Sequence, residues 1–369
     1  MHVGYAPVFQ NLGRKVSDRE AYRQELRLLD LVEPLGFESI WEPEHHFTDY
    51  EMTPNVLQFL TYCAGRTKHV KLGSMVVVLP WHDPVRVAEQ IVLLDHLSDG
   101  RAILGIGRGL GAVEFDGFRV DMAKSRGIFN ESADAIVKAV ERGYIECDGE
   151  FVKQPRRDIR PAPFKSFEGR MFGAGLSPET GPIMAQLGLG MMIFPLKAWT
   201  DVRVSLDEYA KEWRKVRPGT EPPKCIQVAF CYVDKDPERA RARATEHVGN
   251  YYNSIISHYD MAGDRLKGTK GYEFYQKTIQ ANQDNLDATI ANFVDLMPCG
   301  TPEQVIGKFA DVHRQIDNNA IITHFSFGGM PYDVAEQSMR LFAAEVLPAV
   351  KAMETTQFLE PPRRVNQAA

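Results

Sequence analysis

The amino-acid sequence lacks the features that mark membrane, zinc-finger and nucleic-acid-binding proteins. No apolar run approaches the roughly 20 residues that span a bilayer, and no basic-then-apolar signal segment precedes the first apolar run. The net charge of −6 offers no basic surface for nucleic acid or anionic lipid. The five cysteines show no paired, metal-type spacing, which is typical of free thiols in a reducing compartment. We therefore expect a soluble cytoplasmic protein that binds neither nucleic acid nor membrane.

What the sequence does contain is a regular alternation of short apolar runs with helical patterns along 369 residues. Successive runs are separated by helical patterns, which implies crossover connections and a parallel sheet. Eight such units close a (β/α)8 TIM barrel, which is the fold we predict. The predicted strands lie in residues 2–9, 38–47, 70–79, 102–106, 171–174, 190–194, 225–233 and 321–327.

The helical and strand patterns predict one barrel domain over residues 1–355. Two stretches interrupt the pattern. Residues 144–170 combine hairpin-type turn residues with prolines and are predicted to be an insertion in one connection. Residues 259–298, after the seventh strand, are rich in Gly, Asp, Asn and Gln and are long enough to form a lid. Residues 356–369 are expected to form a loose tail.

Acid/base side chains cluster where the second predicted strand ends, in residues 41–48 (WEPEHHFT). In a parallel barrel that end faces the mouth where catalysis occurs. On extended backbone the adjacent His45 and His46 point in opposite directions, which argues against a two-histidine metal site, and no third ligand is suitably spaced. One imidazole acting as acid/base at the mouth is the functional interpretation. A structural pair bonded to Glu42 or Glu44 is the alternative.

Glycines and arginine follow the fourth predicted strand. Residues 107–112 (GRGLGA) match the dinucleotide pattern G-x-G-x-x-A, but that pattern must open a helix, and residues 113–118 are predicted to be a loop. The glycines instead allow close backbone approach, with Arg108 as a fixed charge suited to phosphate. A tight turn with a solvated Arg108 explains the same residues equally well.

Two further features could complete an anion site with Arg108. Arg126 lies early in the helix predicted for residues 121–142. Residues 177–180 (SPET) are typical of a helix N-terminus with a Ser cap, whose free N–H groups attract anions. Many such caps bind nothing. Together the arginines and the helix start form a plausible phosphate cradle.

Several ordered motifs resemble those of the bacterial luciferase-like flavin monooxygenase superfamily, in particular its luciferase α-subunit branch. The resemblance runs from the first strand to the last helix. It is carried by residues 41–48 (WEPEHHFT), 73–80 (GSMVVVLP), 83–86 (DPVR), 94–101 (LDHLSDGR), 105–109 (GIGRG), 121–122 (DM), 125–126 (SR), 271–274 (GYEF) and 300–303 (GTPE).

The resemblance implies a two-component monooxygenase in a (β/α)8 barrel. FMN would be used in reduced form, supplied by a separate NAD(P)H:flavin reductase. Oxygen would be activated as a flavin C4a-(hydro)peroxide and transferred to a small aldehyde, ketone, terpene or aromatic compound. A homodimer is the family expectation, and no metal is implied.

The resemblance also assigns roles to individual residues. His45 matches the histidine that handles protons, Arg108 and Arg126 match the phosphate-binding arginines, and Met75-Val76 matches a bulged, often cis, peptide against the flavin ring. The complete set expected to bind the cofactor is Met75, Val76, Arg108, Leu110, Arg126, Gly175, Leu176, Ser177 and Thr180.

The sequence departs from luciferase at two positions. Gly107 stands where luciferase has a reactive cysteine, and Gly175 lies near the position of a glutamate beside the flavin. We expect both changes to enlarge the pocket. The rival interpretations are a relative that transfers hydride with deazaflavin F420, a catalytically silent partner subunit, and a phosphate-handling lyase or isomerase on the same barrel.

Overall fold

A computed structural model of the chain describes residues 1–175, 177–264, 266, 268–361 and 363. Within them, eight parallel strands form a closed barrel, because the first strand pairs with the second and the eighth and the third pairs with the fourth. The strands are β1 His2–Tyr5, β2 Ser39–Glu42, β3 Lys71–Ser74, β4 Ala102–Gly107, β5 Met171–Ala174, β6 Gly190–Ile193, β7 Ile226–Phe230 and β8 Ala320–His324. The predicted (β/α)8 barrel is confirmed.

Helices surround the barrel and begin at the residues that the caps favour. Asp83 and Asp236 each accept hydrogen bonds from backbone N–H groups at the start of a helix, and a proline occupies the first helical position in both cases. The helices are α1 Asp18–Leu29, α2 Val56–Arg66, α3 Pro84–Leu97, α4 Ala112–Phe118, α5 Ser125–Arg142, α6 Thr180–Leu187, α7 Trp199–Val216, α8 Pro237–Tyr259, α9 Gln276–Asp284, α10 Leu286–Leu296, α11 Pro302–Ile316, α12 Tyr332–Leu341 and α13 Leu347–Lys351. Among the described residues, none of these helices combines the length and apolarity that a bilayer crossing needs.

Large apolar side chains pack against one another inside the barrel. They belong to Trp41, Ile103, Phe172, Met192, Ile226 and Ile322. Phe358, from the predicted tail, lies 4.3 Å from the ring of His2 and 5.8 Å from that of Phe172, across the amino-terminal end of the barrel. The barrel interior is therefore packed with side chains, and the cavity described below lies toward the carboxyl ends of the strands.

The third predicted strand is interrupted. Lys71–Ser74 pairs with β2 and β4, and the short strand Val77–Val78 pairs with β4 again at Ile106 and Gly107. The peptide bond between Met75 and Val76 is cis, as the resemblance implied. The prediction of one continuous strand over residues 70–79 is therefore wrong.

The prediction of a loop at residues 113–118 is also wrong, because Ala112–Phe118 forms α4. Phe115 is buried and meets the ring of Trp81 at 5.5 Å, and Glu114 is fully buried. These tertiary contacts stabilise a helix that its Gly and Asp residues disfavour locally.

The predicted insertion, residues 144–170, contains an antiparallel hairpin in which Tyr144–Asp148 pairs with Lys153–Asp158.

The predicted lid, residues 259–298, contains α9 and α10 together with a small apolar cluster of its own. That cluster consists of Met261, Leu266, Tyr272, Tyr275 and Ile279 and packs against Leu110 and Met122. The segment therefore covers the barrel mouth on the side where β4 ends.

Candidate active site

The carboxyl ends of the strands surround a cavity of about 220 Å³. Nine of the ten residues predicted for the site line it, and Leu176 lies outside the described residues. The nine are His45, Met75, Val76, Arg108, Leu110, Arg126, Gly175, Ser177 and Thr180. The structure thus brings together residues from four of the barrel's connections.

Two arginines define one end of the cavity. Arg108 is buried, and its guanidinium lies 3.9 Å from the centre of the Tyr272 ring. Arg126, in the first turn of α5, directs Nη2 to Ser177 Oγ and Glu179 Oε2, both at 3.3 Å. Arg108 Nη1 and Arg126 Nε are buried and have no hydrogen-bond partner among the described residues. The solvated-arginine alternative does not fit a buried, stacked Arg108.

This end of the cavity has an excess of positive charge. Burial lowers the pKa of Arg126, and the nearby charge of Arg108 lowers it further. Ser177 Oγ lies 3.1 Å from Thr180 Oγ1 beside the arginines. Buried cations with unused N–H groups are costly unless an anion pairs with them, so this end is suited to a phosphate.

The start of α6 differs slightly from its prediction. The helix begins at Thr180, not at Pro178, and Ser177 lies in a preceding turn in which Thr180 N donates to Ser177 O at 3.0 Å. The hydroxyls of both residues nevertheless line the cavity, as the anion-site interpretation requires.

His45 defines the other end. Its Nδ1 lies 3.0 Å from Glu114 Oε1, and its Nε2 lies 3.1 Å from the hydroxyl of Tyr259, the last residue of α8. Glu114 Oε1 also accepts the backbone N–H of His46 at 2.9 Å, and His258 Nε2 is 3.4 Å from the same oxygen. Glu114 thus binds the residue predicted to be the acid/base.

The charges at this end compensate one another. Burial raises the pKa of Glu114, but the charge and hydrogen bond of His45, together with the nearby His258 imidazole, outweigh burial and hold it at about 2. Burial lowers the pKa of His45, but the Glu114 carboxylate, with the charges of Glu51 and Glu44, more than offsets this and the pKa is raised. Because an ionised carboxylate can only accept, Nδ1 of His45 carries a proton and Nε2 is the nitrogen free to exchange one.

His46 points away from His45, although β2 ends at Glu42, short of the predicted residue 47, and both histidines lie beyond the strand. Its Nε2 lies 3.0 Å from Glu44 Oε1, which also meets His82 Nε2 at 2.6 Å. The other oxygen of Glu44 accepts Val78 N at 2.8 Å. The structural pairing with Glu44 therefore holds for His46 and not for His45.

Several site residues had no signal in the sequence. Glu114 lies in residues predicted to be a loop, and His258 is more than 200 positions from His45. Sequence spacing offered no third ligand for the adjacent histidines, but the fold brings Glu114 and His258 to His45, and these three residues place one ligand atom each within 4.8 Å of one another. Glu51 and Tyr251 were also missed, and Tyr251 donates to Glu51 Oε1 at 2.7 Å.

Between the two ends the wall is largely apolar. Met192, Phe194, Val228, Ile255 and Met261 line it. His324 adds one polar group, and burial lowers its pKa to about 4, so its ring is neutral. Its Nδ1 lies 3.0 Å from the Ala6 carbonyl and must donate, which leaves Nε2 as an acceptor.

The two glycines expected to enlarge the pocket do not do so. A Cβ at Gly107 would lie 2.4 Å from Val76 Cγ2, and one at Gly175 would lie 2.4 Å from Thr180 Cγ2. The space beside each glycine is already taken by its neighbour. Glycine is needed here for close packing, and the expectation of extra volume is wrong.

Known proteins resemble this chain along most of its length. A family model described as luciferase-like monooxygenase matches residues 1–318. The chain belongs to the luciferase-like monooxygenase family. The alkanal monooxygenase alpha chain of Aliivibrio fischeri is 28% identical over 324 residues, which cover 86% of this chain and 90% of that protein. The family suggested by the motifs is confirmed.

Several solved structures share the fold. Monooxygenase RslO1 from Streptomyces bottropensis superposes with a TM-score of 0.78 at 22% identity and covers 94% of this chain and 99% of its own. The oxygenating constituent of 3,6-diketocamphane monooxygenase from Pseudomonas putida, in complex with FMN, has a TM-score of 0.71 at 17% identity, covering 94% and 98%. An F420-dependent secondary alcohol dehydrogenase reaches 0.70 at 15%, covering 95% and 98%. The same fold thus occurs in a protein bound to FMN and in an F420-dependent enzyme.

Proposed function

We propose that this protein is the oxygenase of a two-component, FMN-dependent monooxygenase. The observation that carries the proposal is one cavity with two different ends. One end presents buried arginine N–H groups without partners, and the other presents a histidine held by an ionised carboxylate. A phosphate-bearing cofactor would occupy the first end and place its reactive ring toward the second.

The residues present fit FMN. Arg108 Nη1 and Arg126 Nε supply unused donors for a phosphate, and Ser177 and Thr180 add hydroxyls beside them. Met75 and Val76 provide apolar surface for a flat ring in the same cavity. When bound in reduced form, FMN supplies the two electrons with which one atom of O2 enters the substrate and the other leaves as water.

His45 is the proposed acid/base. Glu114 accepts from Nδ1 and thereby keeps the exchangeable position at Nε2, on the side of Tyr259 and the cavity. The negative charge of Glu114 favours the imidazolium, so His45 can take a proton at Nε2 and later return it. The intact His45–Glu114 pair argues against a silent partner subunit.

The lid contributes by excluding water. Tyr272 lies over the Arg108 guanidinium, donates to the Gly109 carbonyl at 3.1 Å, and lies 3.0 Å from Ser125 Oγ. Tyr259 ties the start of the segment to His45. A site closed in this way protects reactive oxygen species from water.

The substrate we propose is a small, mostly apolar aldehyde, ketone, terpene or aromatic compound. The apolar wall formed by Phe194, Val228 and Ile255 favours such a molecule, and neutral His324 offers it one acceptor. The proposal also includes a separate NAD(P)H:flavin reductase as the source of reduced FMN and a homodimeric assembly, both as the family resemblance implies.

Isotope transfer from oxygen tests the proposal. The protein is incubated with FMN, NADH, a flavin reductase, 18O2 and a panel of such substrates, and products are analysed by mass spectrometry. The expected result is a product carrying one 18O atom that is absent without the protein. Substrate reduction or oxidation that requires F420 and leaves 18O out of the product would replace the oxygenase by the F420 alternative.

A further inference from the structure

Two groups in the described residues place a carboxylate between two imidazoles, and they differ in how completely they are satisfied. In the first, both oxygens of Glu44 are hydrogen-bonded, by His46 and His82 on one side and Val78 N on the other. In the second, Glu114 Oε2 is buried and has no hydrogen-bond partner, and the buried His258 Nε2 faces Glu114 Oε1 at 3.4 Å without hydrogen-bond geometry. The second group therefore has unused lone pairs that a further electropositive partner could satisfy.

The spacing of the second group suits a metal ion. His45 Nδ1 and His258 Nε2 lie 3.0 Å and 3.4 Å from Glu114 Oε1, and the three ligand atoms lie within 4.8 Å of one another. With bonds of about 2.0–2.1 Å, a tetrahedral zinc ion holds neighbouring ligand atoms about 3.4 Å apart. The widest pair would have to approach by at most about 1.4 Å, which small side-chain rotations can supply.

The surroundings prepare His258 as a ligand. Its Nδ1 lies 2.8 Å from Thr48 Oγ1, which is the kind of outer partner that orients metal-binding histidines and leaves Nε2 for the ion. His258 and Glu114 are fully buried, while His45 and Glu114 also line the cavity. An ion can therefore reach the group through the cavity.

We propose that His45, Glu114 and His258 form a binding site for a divalent ion of the zinc class, and that the bound ion stops the proton chemistry of His45. Two imidazoles and one carboxylate suit zinc, whereas Mg²⁺ and Ca²⁺ prefer oxygen ligands. An ion on Nδ1 requires the ring proton to sit on Nε2. His45 then presents a donor to the cavity and cannot accept a proton there. This second step rests on the proposed function, whereas binding does not.

Binding is tested first on the full chain after treatment with EDTA and dialysis. Zn²⁺ is titrated by calorimetry, and Co²⁺ serves as a visible probe of ligand geometry. The expected result is one ion per chain and the intense visible bands of four-coordinate Co²⁺. Absence of binding, or the weak spectrum of hexahydrated Co²⁺, would overturn the site.

A matched pair of variants locates the ion. His258→Gln is expected to weaken Zn²⁺ binding at least tenfold. His82→Gln, the same change in the satisfied group around Glu44, is expected to leave affinity unchanged. Equal affinity of His258→Gln and the unaltered protein, or an equal loss in both variants, would overturn the assignment. If His258→Gln is unstable, Glu114→Gln takes its place with the same expected loss.

Inhibition is tested separately from binding. In the 18O assay, with each protein compared with its own metal-free rate, product formation by the unaltered protein should fall over the range of Zn²⁺ concentrations that fills the site. The His258→Gln variant should keep its rate at those concentrations. Full activity with the site occupied would contradict the proposal that the bound ion stops proton transfer by His45. Zinc binding by a protein that transfers no 18O would leave the metal site standing and overturn the proposed oxygenase.

Discussion

The two ends of the cavity solve the problem of buried charge in opposite ways. At the arginine end, Arg108 and Arg126 lie close together with donors that no described residue uses. At the histidine end, the charge of His45 is balanced by Glu114 within the protein. The first end is incomplete without an anionic ligand, whereas the second is already organised. Binding and proton transfer should therefore respond to different substitutions.

The largest difference between an effect on oxygenation and an effect on flavin binding is expected from His45→Ala. Loss of a positioned acid/base should reduce oxygenation about 10²–10⁴-fold. The dissociation constant of reduced FMN should change by less than about twofold, because the phosphate end is untouched. Single-turnover product yield and anaerobic flavin titration measure the two quantities. Near-normal turnover would remove His45 from the mechanism.

Arg108→Met should have the opposite effect, weakening flavin binding more than oxygenation. Replacing a charge-assisted donor should weaken binding of reduced FMN by about 1.5–3 kcal/mol, or roughly 10- to 150-fold. The oxygenation rate at saturating flavin should change far less. Arg19→Met, an exposed arginine on α1, is the matched control. Flavin affinity equal to that of the control would contradict the phosphate cradle.

Glu114→Gln tests the internal charge balance at the histidine end. Without the Glu114 carboxylate the pKa of His45 should fall, because the imidazolium loses the largest of the charges that favour it. The pH–rate limb that reports His45 should therefore move to lower pH, by about one unit. The measurement is kcat/KM against pH in buffer containing EDTA. A loss of rate without any shift of the limb would indicate a purely structural role for Glu114.

The smallest effect is expected at the lid. Tyr272→Phe keeps the ring over Arg108 but removes the hydroxyl that meets Gly109 and Ser125. Affinity for reduced FMN should fall by about 0.5–1.5 kcal/mol, the worth of a neutral hydrogen bond. Tyr272→Leu, which also removes the ring, should lose more. Identical affinities for both variants and the unaltered protein would mean that the lid does not support the arginine end.

Sequence patterns predicted more of the fold than of the candidate site. The alternation of apolar runs predicted the closed barrel, because each strand is buried on both faces, as in the fully buried β4. The two-residue period of a strand predicted that His45 and His46 diverge. The prediction of the cavity residues around Arg108 rested mainly on the family resemblance.

What sequence could not show are contacts between distant segments. The Gly and Asp of α4 disfavour a helix, and only the packing of Phe115 against Trp81 makes it form, so Glu114 was missed. Tyr259 reaches His45 from the end of α8, and no spacing rule links them. The volume beside Gly107 depends on Val76, a side chain from the interruption of the third predicted strand.

The central claim is that the arginine end holds reduced FMN while the histidine end supports its reaction with oxygen. Anaerobic protein with reduced FMN is mixed rapidly with oxygenated buffer, and absorbance is followed from milliseconds to minutes. We predict a spectrum distinct from both reduced and oxidised FMN that outlasts the reoxidation of free flavin. Immediate appearance of oxidised FMN at the free-flavin rate would contradict the account.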